Sequence, residues 1–252
     1  MEVSVLASGS SGNSTFVSTK SKKFLFDAGL SCRRIKKKLS SIGQDIKDID
    51  AIFVSHEHID HIRGLRVIQK YHETPIYAEK LTHSKIGLDN INHFIIEKAM
   101  KLNGVSVKPM KTRHDAVNSC GFLIEENKKK IGIFTDLGCM TDNIKEELPE
   151  MDAIVLESNH DIDMLIDGPY PYFLKQRIMS DDGHLSNIDA GISIKENATE
   201  KLRTVFLSHL SQKNNTPDKA YETFTALINK NKALRIDTVL TDQVKPTELR
   251  RI

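Results

Sequence analysis

Apolar residues in the first half of the chain come in short runs that stop at small or polar residues. The runs 3–7, 15–18, 23–26 and 51–54 have strand length, and the last two stop at Asp27 and Ser55. Between them, 33–42 and 62–71 carry apolar residues at helical spacing, with Gly43 placed to end the first helix. Further strands are predicted at 75–78, 105–110, 121–125, 130–135, 153–157 and 205–208. Helices are predicted at 143–148, 171–179 and 187–195, and at 218–229 after the Pro217 start signal. So many strands need two sheets, with helices on the outside. Nothing marks a linker, a repeat or a low-complexity tract, so residues 1–252 read as a single domain.

Charge and cysteine content narrow the setting. Lys and Arg number 36 against 34 Asp and Glu, a net charge of +2, so a polyanionic partner has to be recognised locally. The basic run Arg33, Arg34, Lys36, Lys37, Lys38 reads as the solvated face of a helix rather than a nucleic-acid track. An aromatic content of 6% without Trp gives little support for base stacking. Cys32, Cys120 and Cys139 are widely spaced and odd in number, which fits reduced thiols in the cytoplasm, and Cys139 reads as a small packed side chain. No signal peptide or membrane span is expected, and no exposed apolar stripe specifies an oligomer.

The densest chemistry lies in the loop after the fourth run: His56, Glu57, His58, Ile59, Asp60, His61. Alternate residues such as His56 and His58 turn toward one point, while Asp60 and His61 face a neighbouring one. Imidazole nitrogen and carboxylate oxygen suit borderline or hard divalent ions, so the expected cofactors are two divalent ions drawn from Zn, Mn and Fe. An open catalytic ion needs at least three protein groups. His114, Asp136, His209 and Asp27 each follow a predicted strand and are candidates for the remainder.

HxHxDH followed by a later His, an Asp and a final His resembles the metallo-β-lactamase superfamily across essentially the whole chain. Within it, Ala7–Ser14, Asn159–Asp161, Gly183–Asn187 and His209–Ser211 are similar to the YycJ/WalJ group of bacterial nucleases or phosphodiesterases. The resemblance implies an α/β four-layer αββα sandwich with metals at one edge. It puts His56, His58 and His114 on one ion, Asp60, His61 and His209 on the other, and Asp136 between them. Asp27 is then the acid that orients the ligand loop by accepting a hydrogen bond.

Two ions sharing a hydroxide of lowered pKa suit in-line attack on a phosphodiester. β-Lactamase members use Cys or Ser where this chain has Asp136, which speaks against antibiotic hydrolysis. The expected activity is a DNA exonuclease using a metal-bridging hydroxide. Asp60, His184 and His160 are the expected catalytic residues, and His184 is favoured over His160 as general acid because Gly183 permits close substrate approach. The Gly- and Ser-rich loop Ser8–Ser14 reads equally as a set of phosphate donors or as a tight turn. Alternatives are a small-molecule phosphodiesterase, a glyoxalase-like thioester hydrolase, and a non-catalytic regulatory module in cell-wall signalling. The Asp136-to-His209 interval is too short for the inserted domain of ribonuclease J-like enzymes.

Overall fold

In the computed structural model, which describes all of residues 1–252, the strands form two seven-stranded sheets. The first is built from β1 (Glu2–Ala7), β2 (Ser14–Ser18), β3 (Lys23–Phe26), β4 (Ala51–Phe53), β5 (Ile76–Glu79) and β6 (Asn92–Phe94) in chain order. The second holds β7 (Met100–Leu102), β8 (Val105–Lys111), β9 (Cys120–Glu126), β10 (Lys129–Phe134), β11 (Ala153–Glu157), β12 (Thr204–Ser208) and β13 (Asp237–Leu240). A final strand, β14 (Arg250–Arg251), pairs with β1. In each sheet one half is antiparallel and the other, β3 to β6 or β10 to β13, is parallel.

The helices are α1 (Cys32–Ser41), α2 (Ile59–Ile62), α3 (Leu65–His72), α4 (Lys80–Ile86), α5 (Asp142–Glu147), α6 (Ile162–Asp167), α7 (Tyr172–Met179), α8 (Asn187–Asn197) and α9 (Pro217–Ile228). Strand side chains alternate between faces. Val3, Val5, Phe24, Phe26 and Phe53 therefore meet Phe122, Ile133 and Val155 between the sheets. Leu6, Leu25 and Ile52 point outward against Ile35 and Leu39 of α1 and Leu65 and Ile68 of α3. Ile154, Leu156 and Leu207 do the same against Ile144, Ile194 and Phe224 of α5, α8 and α9. The three clusters hold 20, 19 and 18 buried residues, so both outer faces are covered as fully as the middle. This is a four-layer αββα sandwich, and strands apolar on both faces explain the continuous runs in the sequence.

Three departures from the pattern have local causes. The helix predicted at 62–71 starts only at Leu65, after the separate short α2 ends at Ile62, because Gly64 lies where the chain must pass the backbone that follows β3. A Cβ there would sit 2.4 Å from the Leu30 oxygen, and the Gly64 amide donates to Ala28. Lys38 does not join the exposed basic face of α1: it is buried and its ammonium donates to the Val244 carbonyl, burial holding its pKa down to about 8. The edge strands β6, β7, β13 and β14 and the helices α4 and α6 were not predicted. Runs as short and mixed as Asn92, His93, Phe94 give no periodicity to read.

Candidate metal centre

Parallel strands deliver their carboxy ends to one edge of a sheet, the general location of ligand sites in such sheets. At this edge β3 leads to Asp27, β4 to His56, β10 to Asp136 and β12 to His209, while β11 ends at Glu157. His114 enters from the end of β8. Asp27, Asp136 and His209 all take left-handed backbone, with φ of 62°, 57° and 56°. Such conformations are costly for side-chain-bearing residues and persist where surrounding structure imposes them, often at functional sites.

The side chains gather into three overlapping groups: His56, His58, His114; His56, His61, Asp136; and Asp136, Glu157, His184, His209. The potential ligand atoms within each lie within 4.8 Å of one another. His56 Nε2 stands 3.1 Å from His58 Nδ1. Asp136 Oδ2 lies 3.0 Å from His61 Nε2, and its Oδ1 lies 3.5 Å from His209 Nε2 and 3.9 Å from His114 Nε2. Asp60 stays at the margin, its Oδ2 3.8 Å from His61 Nε2 and 3.4 Å from the Asn13 amide nitrogen.

Most of the rings are turned by an acceptor behind them, as metal-binding histidines generally are. His61 Nδ1 donates to Asp27 Oδ2 at 2.8 Å, and Asp27 also accepts from the Ser55 amide and hydroxyl. His56 Nδ1 donates to Ser55 Oγ at 2.9 Å and His114 Nδ1 to the Gly183 carbonyl at 3.2 Å. His209 Nδ1 donates to Glu157 Oε1 at 2.7 Å. These assignments leave Nε2 lone pairs converging on Asp136. Asp136 Oδ2 and His209 Nε2 are buried without a hydrogen-bond partner. Buried polar atoms without a partner are costly, and a divalent cation is the group that satisfies both at once. The residues therefore fit metal.

Glu157 was not singled out from sequence. It is fully buried, its Oε1 accepts from both His184 Nδ1, at 2.8 Å, and His209 Nδ1, and its Oε2 accepts from the Leu137 amide at 2.7 Å. Burial alone would raise its pKa, but His184 and His209 outweigh that and hold it at about 2. The available signal was an acidic residue closing an apolar run, as Asp27 and Asp136 do.

His184 stands at the open side, its side chain 24% exposed and its ring centred 5.3 Å from His114 and 5.2 Å from His209. His160 lies apart from the three groups. It is buried beside His184, Ser186 and Asp189, and burial lowers its pKa to about 4. The Ser8–Ser14 loop braces the centre: Ser8 Oγ accepts from the His209 amide, and the Asn13 amide nitrogens reach the Asp60 carbonyl and His61 Nε2. Gly29 lets this loop close, since a Cβ would sit 1.5 Å from the Asp60 carbonyl oxygen.

The family model for the beta-lactamase superfamily domain matches residues 22–209. The chain belongs to the metallo-β-lactamase superfamily. Within that superfamily it is 35% identical over 227 residues to the exodeoxyribonuclease YycJ of Bacillus anthracis, covering 87% of this chain and 86% of that one. It is 34% identical over 229 residues to the exodeoxyribonuclease WalJ of Streptococcus pneumoniae, covering 87% and 85%. The metallo-β-lactamase fold protein YhfI of Bacillus subtilis superposes over 98% of both chains with a TM-score of 0.75 at 17% identity, a likeness of fold. This superfamily member is a metal-dependent hydrolase.

In metal-free protein, protons on two of the histidines offset the carboxylates of the centre. Burial would lower the His209 pKa, but Asp136 and Glu157 outweigh it and raise it to about 9. His61 is raised as well, Asp27 and Asp136 outweighing its burial. A raised folded-state pKa stabilises the fold fully below the unfolded value of about 6.5, and that contribution is lost as pH climbs through 9. Thermal unfolding in chelator should therefore show stability falling by about 3 kcal/mol between pH 6.5 and 9. Metal-loaded protein should lack that fall, because a cation replaces the protons. Equal pH dependence with and without metal would contradict this.

Proposed function

We propose that the chain is a two-metal phosphodiesterase that removes nucleotides from DNA ends. The observation that carries this reading is the position of Asp136, one carboxylate near His61 and His209 on one side and His114 on the other, with an oxygen left unpartnered. His56, His58 and His114 would hold one divalent ion, Asp60, His61 and His209 a second, and Asp136 would serve both. Ions bound there lower the pKa of water toward neutrality and offset negative charge on phosphate oxygens.

The protein's own groups do the rest. Asp27, Ser55, Glu157 and the Gly183 carbonyl fix the rings, so little reorganisation is needed when substrate arrives. His184 faces the cleft that also exposes His114, Asn159, Ser10 and Ser211. Burial would depress its pKa, but Glu157 outweighs it and raises it, which favours a proton on the ring. His184 then hands that proton to the departing sugar oxygen. His160, buried and neutral, supports the wall behind His184.

DNA as substrate rests on the relatives named exodeoxyribonucleases. No helix is long and apolar enough to cross a membrane. The three cysteines are free, which fits work in a reducing cytoplasm. The test is elemental analysis of protein purified without chelator, followed by reconstitution with Zn, Mn or Fe. Labelled DNA should be cut and two ions bound per chain. Cyclic nucleotides and a glutathione thioester run beside it should turn over far more slowly. Metal-loaded protein that hydrolyses no phosphodiester, bis(4-nitrophenyl) phosphate included, would overturn the reading.

A further inference from the structure

The chain is nearly neutral, but its charge is divided between the two helical layers. Over the second sheet, α5, α8 and α9 carry seven carboxylates against three lysines, and each of those lysines, Lys145, Lys195 and Lys219, is in an ion pair. Over the first sheet, α1 and α3 contain no Asp or Glu at all. Arg33, Arg34, Lys36 and Lys37 of α1, Arg66 and Lys70 of α3, and Arg63 just before α3 are all exposed. None of these seven cations is in an ion pair, whereas Lys22, Lys23, Lys108 and Lys130 elsewhere each hold a carboxylate.

Along the chain, the run 33–38 is one basic helix face and nothing more. The fold adds the second helix, since Ile35 and Leu39 of α1 pack with Leu65 and Ile68 of α3 in one cluster and so align the two exposed sides. It also places the face. Both helices start at the sheet edge that carries the metal centre, α1 after Asp27 and α3 after the 56–61 loop. Arg63 Nη1 donates to the Ser11 carbonyl at 3.0 Å, in the loop that braces the centre, and the adjacent Ser10 lines the catalytic cleft. Asp60, the acid of α2, turns toward His61, and Asp45 and Asp48 come after the far end of α1.

The arrangement works against the fold's own stability. Arg33 and Arg34 sit in the first turn of α1 and Arg66 in that of α3, where the helix dipole disfavours positive charge and neither helix supplies an acid. Clustered like charge of this kind is relieved by a polyanion, and guanidinium groups match phosphate oxygens in two-point hydrogen bonds. We propose that the exposed sides of α1 and α3, joined to the cleft through Arg63, form a track for the phosphate backbone of the DNA whose end lies at the metal centre. The track holds the strand behind the nucleotide being removed, without reading its bases. The exposed side of α1 offers only Arg, Lys and Ser, with no apolar side chain to enter a bilayer, which favours nucleic acid over a lipid surface. The track rests on the phosphodiesterase reading for its ligand.

The test uses the metal-loaded full chain and a fluorescent phosphorothioate strand that resists cutting, with binding followed by anisotropy over a range of salt concentrations. The triple variant Arg33→Gln, Arg34→Gln, Lys37→Gln keeps good helix formers at exposed positions and leaves the metal centre untouched. It should bind the strand about tenfold more weakly, and its slope of log affinity against log salt should be shallower by about 2. Its turnover of bis(4-nitrophenyl) phosphate, too small to reach the track, should match wild type, while kcat/KM for DNA falls with the affinity. A matched variant removes the same charge at the opposite edge, before β10 and after α9: Lys128→Gln, Lys230→Gln, Lys232→Gln. It should bind the strand within about twofold of wild type. Unchanged affinity in the first variant, or an equal loss in the second, would overturn the track even if hydrolysis confirms the phosphodiesterase. If wild type hydrolyses nothing, the enzymatic reading fails, and the strand affinities still decide the track. Wild type that binds phosphatidylglycerol vesicles and no strand would make this face a membrane surface and would overturn it too.

Discussion

Asp136→Asn is expected to reduce phosphodiester hydrolysis by about 1000-fold or more, the equivalent of the several kcal/mol that paired ions contribute. It should also lower the metal content of the purified protein. The choice of Asn matters because Asp136 has a φ of 57°, a region that Asn tolerates better than other residues of its size. The backbone is thus preserved while one negative charge is removed from the point where His61, His114 and His209 converge. Burial would raise the Asp136 pKa, but His209 and His61 hold it well below the usual carboxylate range, so the charge is present throughout the working pH range. Elemental analysis and turnover of bis(4-nitrophenyl) phosphate measure the two effects. Full activity with metal content unchanged would remove Asp136 from the centre.

Glu157→Ala should be almost as damaging, lowering kcat by roughly 100-fold or more although Glu157 sits behind the rings rather than in the cleft. Three donors lose their acceptor at once: the two Nδ1–H groups of His184 and His209 and the Leu137 amide. Glu157→Gln is not a mild replacement. Its single carbonyl oxygen can serve either the histidines or Leu137, and its NH2 must then face a donor on the other side. The pH profile separates positioning from simple structural support. The His184 pKa is raised chiefly by Glu157 against the effect of burial. A general acid acts only when protonated, so activity falls as pH rises through that pKa. In Glu157→Gln the pKa drops, and the alkaline limb should move to lower pH. An alkaline limb that stays put while kcat falls would assign Glu157 a purely structural role.

The two sites of greatest chemical weight differ in how far they could be read along the chain. His56, His58, Asp60 and His61 lie within six positions, so their convergence is a local property of one strand end and the turn after it. Strand limits were legible for the same reason, since alternation and apolar runs reflect faces that each strand buries directly. Glu157 escaped notice because its partners are 27 and 52 residues away, and nothing local distinguishes it from a carboxylate at any strand end. Asn13 lay within a loop that read equally as a turn or as a phosphate cradle, and only its approach to Asp60 and His61, 47 and 48 residues on, shows it bracing the centre.

Residue type and short-range spacing thus sufficed for two sheets with helices outside, for the loop 56–61 and for the strand ends, because each depends on neighbours within a few positions, while the family resemblance supplied the four-layer arrangement and the assignment of His114, Asp136 and His209 as ligands. Which ring nitrogen faces inward, and that Glu157 is the carboxylate behind both His184 and His209, were decided by the folded chain alone. Those outcomes depend on acceptors delivered by β3, β11 and the Gly183 loop, segments brought together only when the two sheets pack.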